Sequence, residues 1–111
     1  MIIIMNNNLV SLDILYKIIK MKGLNKYINS YGYSKKKDKK YYIILKNGKG
    51  EALASGTSGN VIHFGSLKYE DYLIHKDKDR LNRFRSRFKS LYETNKNNLN
   101  SPIFWSWNIL W

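Results

Sequence analysis

Cysteine is absent from this chain of 111 residues, proline occurs once and histidine twice. Without thiols there is no disulfide and no thiolate metal site, a composition suited to a reducing compartment. His63 and His75 are too few for a zinc centre, so neither a metal nor another cofactor is expected. Long apolar runs are missing too. Residues 1–5 are apolar, but Asn6, Asn7 and Asn8 end the run far short of a bilayer span. It also lacks the basic start and longer apolar region of a signal peptide. The expectation is an intracellular protein without a membrane span. Acid is scarce as well: eight Asp and Glu stand against twenty Lys and Arg, a net charge of +12.

What is present is globular. The chain is 43% hydrophobic, with nine Tyr, four Phe and three Trp, and its length suits one folding unit. Positive charge in such excess repels itself, and a polyanionic partner relieves the repulsion. Small soluble domains ordinarily carry a net charge of ~2–8. Nucleic acid is the first candidate, followed by an anionic membrane surface or an acidic protein.

Residues 9–22 read as a helix, with Ser11 as N-cap, Leu12, Leu15, Tyr16 and Ile19 on one face, and Gly23 or Asn25 as the stop. Residues 26–33 show no clear period. The chain divides near residue 34, giving an N-terminal helical accessory segment (1–33) and a basic domain (34–111). Residues 34–40, with five lysines among seven residues, read as a loop or flexible arm. Residues 41–45 are apolar, aromatic and β-branched and predict a strand. Asn47 and Gly48 predict a turn, residues 51–54 a short returning strand, and residues 61–64 another strand ended by Gly65. Residues 68–75 suggest a short helix or turn. Asp77 or Asp79 caps the next helix, about 78–93. There Leu81, Phe84, Phe88 and Leu91 form the cleanest helical stripe in the chain. Pro102 opens a final segment carrying Phe104, Trp105, Trp107 and Trp111.

Four constellations could carry function. On the 78–93 helix, Arg80, Arg83 and Arg87 flank the apolar stripe on one side, and Lys78, Arg85 and Lys89 on the other. From Arg80 to Lys89 there are five positive charges and no acid. A guanidinium grips phosphate through two parallel hydrogen bonds. Lys35, Lys36, Lys37, Lys39 and Lys40, with Lys76, could follow a phosphate backbone non-specifically. Phe104, Trp105, Trp107 and Trp111 serve either as core or as a docking surface for another subunit. The loop of Ser55, Gly56, Thr57, Ser58 and Gly59 lacks the Gly-Lys-Ser/Thr ending of a phosphate-binding loop and reads as a plain connection. His75, Lys76 and Asp77 are contiguous, which is the wrong spacing for a phospholipase-D-like signature. No motif marks a nucleophile beside either histidine, so no catalytic residue is expected. Asp71 and Asp77 read as helix caps or partners of nearby Lys and Arg.

One ordered series of residues resembles a known pattern. Ile62-His63-Phe64-Gly65, Tyr69-Glu70-Asp71-Tyr72, His75-Lys76-Asp77, the arginine-rich helix, Phe104-Trp105-Ser106 and Leu110-Trp111 are similar to a small uncharacterised family of large nucleocytoplasmic DNA viruses, the giant viruses. The resemblance covers about residues 39–111. It departs at Trp107 and Asn108, where a basic and then an aromatic residue are expected. It implies a setting in a virion or an infected host's cytoplasm, and it brings no catalytic residues.

Together these readings predict an α+β domain. Two or three antiparallel strands pack against the amphipathic basic helix, with a further N-terminal helix and an aromatic C-terminal segment closing the core. The expected role is non-enzymatic nucleic-acid binding, as in viral DNA packaging. The alternative is a virion structural or adaptor protein that docks on other virion proteins through the Trp-rich end. A homo-oligomer fits either.

Overall fold

The computed structural model describes residues 8–46 and 61–111. Ser11 begins α1 (Leu12–Met21) in extended conformation, and its side chain accepts a hydrogen bond from the Ile14 N–H. Leu15 and Ile19, one turn apart, are the buried face of α1. Gly23 follows the helix at φ 69°, a left-handed conformation that costs glycine little. A single 3₁₀ turn (Asn25–Tyr27) leads into the sheet.

The sheet has three antiparallel strands in the order β1 (Ile28–Tyr33), β2 (Lys39–Leu45), β3 (Val61–Ser66). Tyr31 pairs with Ile43 and Tyr33 with Tyr41 on one side of β2; Ile62 pairs with Ile43 and Phe64 with Tyr41 on the other. Direct partners share a face, so Tyr41, Ile43, Ile62 and Phe64 form one apolar surface. They join Leu15, Ile19, Phe104, Trp105, Ile109 and Leu110 in a single core. Tyr41, fully buried, accepts a hydrogen bond from the Val10 N–H through its hydroxyl.

Strand β1 was not legible as a strand. It is an edge strand with a register irregularity between Ile28 and Ser30, so its burial does not alternate. Gly32 interrupts it because the Tyr42 ring of β2 lies where a side chain would be, 2.8 Å from an added Cβ. The division near residue 34 therefore falls between two hydrogen-bonded strands, and residues 28–33 belong to the sheet. The turn expected at Asn47 and Gly48, the strand at 51–54 and the glycine-containing loop at 55–59 lie outside the described residues.

After β3 come α2 (Tyr72–His75), α3 (Lys78–Asn95) and α4 (Pro102–Trp105), the last widening into a π-helical stretch, Ser106–Leu110. Pro102 sits at the helix start, where its missing N–H costs nothing. Trp105 is fully buried and donates its indole N–H to the Leu99 carbonyl at 2.7 Å. Asp77 caps α3 by accepting from the Asp79 and Arg80 N–H groups.

The α+β class, the antiparallel sheet and the N-terminal helix agree with the sequence reading. The layering adds something. The C-terminal segment supplies four core residues, and α3 supplies none. Helix α3 rests instead on C-terminal rings: Phe84 stacks on Trp111 (centroids 4.2 Å, 4° between planes) and Tyr92 on Trp107 (4.3 Å, 5°). No helix among the described residues is long and apolar enough to cross a membrane.

Candidate nucleic-acid interface

Because α3 stands off the sheet, a groove of about 690 Å³ runs between it, the ends of β2 and β3, and the C-terminal segment. Helix α3 contributes Arg80, Arg83 and Arg87 together with Phe84, Phe88 and Leu91. At offsets of three and seven the arginines fall on one face. They span about 10 Å along the axis at ~1.5 Å per residue. The C-terminal segment adds Ile103, Leu110 and Trp111, and the strand ends add Lys39, Lys40 and Ser66. The result is a partly apolar trough with guanidinium groups along it.

The three arginines differ in their partners. Arg80 donates to Glu70 Oε1 at 3.1 Å in a half-exposed pair, an interaction worth no more than about 1 kcal/mol. Arg83 and Arg87 form no ion pair among the described residues, and Arg87 holds its guanidinium 5.3 Å above the Phe88 ring. Arg85 departs from the expectation of a phosphate contact. It donates to the Trp111 carbonyl at 2.8 Å and lies 5.1 Å from the Trp107 ring centre, because the C-terminal segment packs on that flank of α3. Lys22, at the end of α1, is held below its ordinary pKa by burial and by the nearby Arg85.

Lys40 is the largest correction. It is no part of an exposed arm: only 2% exposed, it forms a 2.6 Å ion pair with Asp71, itself 3% exposed. Asp71 also accepts the Leu73 N–H and so caps α2. Burial pushes its carboxyl upward, against the pull of Lys40 and the backbone donors. The partners are 31 residues apart, so no local pattern could have paired them. Lys39 also belongs to β2 rather than to an arm. Lys35, Lys36 and Lys37 do sit exposed in the β1–β2 connection. That connection is a closed turn: Lys39 N–H bonds the Lys36 carbonyl, and Asp38 takes φ 63°.

The remaining expected residues are placed as follows. Lys76, Lys78 and Lys89 are exposed outside the groove lining. Lys76 ends α2 in left-handed conformation. Phe104 and Trp105 are core residues with no face left for a partner. Trp107 and Trp111 are half-buried under α3. His63 Nδ1 lies 2.7 Å from Ser34 Oγ, and burial with Lys36 and Lys39 lowers its pKa. His75 Nδ1 accepts the Asp77 N–H; burial and Arg80 lower its pKa. No cluster of His, Asp and Glu that could hold a metal occurs among the described residues. Sequence reasoning missed Glu70 as the partner of Arg80, and Gly65, whose φ of 82° lets Lys40 and Leu110 close over it. A glycine at a strand end was the only signal for the latter.

Residues 33–88 match a family of unknown function, DUF5754. The chain belongs to this family. The matched stretch runs from the end of β1 through β2, β3 and α2 to Phe88 of α3, so it contains the arginine row and the buried Lys40–Asp71 pair. The chain matches none of the curated proteins and none of the solved structures.

Proposed function

We propose that this chain binds nucleic acid through the arginine-lined groove and performs no chemistry on it. The observation that carries the reading is the row of Arg80, Arg83 and Arg87 in one groove, with two of the three lacking an ion pair among the described residues. Guanidinium groups spaced along a helix suit successive phosphates of one strand. Lys39 extends the positive charge at one end of the groove, and Lys35, Lys36 and Lys37 add long-range attraction. The resemblance to proteins of large nucleocytoplasmic DNA viruses makes viral nucleic acid the natural partner, in a virion or an infected host's cytoplasm.

The test is a salt titration of binding to a labelled oligonucleotide. With three phosphates neutralised, log K should fall against log salt with a slope of about −2 for a single strand and about −2.7 for a duplex. Replacing Arg83 and Arg87 by Gln should make the slope shallower by about 1.5. Affinity indifferent to salt, or unchanged in that variant, would overturn the reading.

A further inference from the structure

We infer that the groove selects unpaired nucleotides: single-stranded DNA or RNA whose bases lie against the apolar lining while the α3 arginines hold the backbone. This rests on the nucleic-acid reading above and narrows it. A site built for phosphate alone has no use for apolar surface. Yet Phe84, Phe88, Leu91 and Ile103 line the same trough as the guanidinium groups, and Leu91 remains 50% exposed on a strongly basic helix. In a duplex, base faces are stacked on one another, and only their edges reach a protein. An apolar floor then has nothing to meet. In a single strand the faces are free, and contact with aromatic and apolar side chains stabilises the complex in a sequence-tolerant way.

The Arg87 guanidinium stands over the Phe88 ring, so cationic and aromatic groups adjoin within the groove. The volume of about 690 Å³ falls within the ~300–1,000 Å³ usual for ligand sites. An anionic lipid would also offer an apolar part and a phosphate. One headgroup carries only one or two charges, however, whereas the groove holds a row of three arginines, which suits several linked phosphates.

The experiment measures fluorescence anisotropy of the full chain with three probes: a single-stranded 20-mer, the duplex of the same sequence, and an abasic strand of equal length. The single strand should bind at least about tenfold more tightly than the abasic strand, given the usual contribution of base stacking, and more tightly than the duplex. Because the abasic probe is compared on the wild-type protein, the result does not depend on a variant folding. The Leu91→Ser variant, altered at a half-exposed site, should lose part of the preference while keeping its salt slope. Duplex or abasic strand bound as tightly as the intact strand overturns the single-strand inference and leaves nucleic-acid binding standing. Binding to none of the three overturns both. Phosphatidylserine vesicles that displace the strand at equal phosphate concentration would assign the groove to lipid instead.

Discussion

The C-terminal segment and α3 are both helical and both aromatic, yet they have opposite fates. Nine residues of α4 and its π-helical extension bury Phe104, Trp105, Ile109 and Leu110. The eighteen residues of α3 bury none. The difference lies in what surrounds the apolar positions. In the C-terminal segment Pro102 and Ser106 are small, and Asn108 satisfies its own amide by donating to the Phe104 carbonyl. Nothing there opposes desolvation. In α3 Leu81, Phe84 and Phe88 each adjoin Arg or Lys, whose charged ends must stay in water or find a partner. The helix therefore settles as an outer layer, leaning on aromatic faces and leaving a trough beneath it. The groove follows from incomplete burial.

Substitutions can break this contrast, beginning with the largest effect. Trp105→Ala should cost about 3–5 kcal/mol in urea denaturation, whereas Leu91→Ser in α3 should stay within about 1 kcal/mol. Similar losses would show α3 to be as much a core element as α4. Asp71→Leu alone should also cost about 3–5 kcal/mol, because it strands the Lys40 ammonium. Adding Lys40→Met should recover most of that loss, since apolar replacement of a whole buried pair is often neutral.

Gly65→Ala comes next, at about 1–3 kcal/mol. A Cβ there would approach Leu110 to 2.9 Å from a backbone at φ 82°, so it strains the contact between sheet and C-terminal segment. Within α3, Arg85→Gln should lower stability by about 1–3 kcal/mol by removing the charged bond to Trp111. Arg83→Gln should leave stability within about 0.5 kcal/mol and weaken oligonucleotide binding. Equal effects in both assays would erase the distinction between the two flanks.

The smallest effect is that of pH. His63 and His75 are both held below the ordinary value of 6.5, by burial and by neighbouring cations. Between 6.5 and those lowered values the unfolded chain binds more protons than the folded one. Stability therefore declines as pH falls through that window. The melting temperature should drop slightly between about pH 7.5 and 5.5, and the His63→Gln, His75→Gln double variant should flatten the response.

Much of the site could be read in advance, and the reason is spacing. Arg80, Arg83 and Arg87 share a helix, and helical geometry places them on one side whatever lies nearby. The caps at Ser11 and Asp77 are equally local, as is the strand signal of residues 41–45. Lys40 and Arg85 defeated the same reasoning. They are of the same residue type as their exposed neighbours, and only distant partners, Asp71 and Trp111, distinguish them.

The sequence by itself determined the class of fold, the main helices, two of the three strands and a surplus of cations with three arginines in a row. These depend on interactions within a few residues along the chain. Tertiary structure alone decided that residues 28–33 join the sheet, that the tryptophan-rich end lies against it, and that α3 is left half-covered above a groove. Those outcomes turn on which apolar surfaces can be desolvated without stranding a charge, a competition settled only when the whole chain has packed.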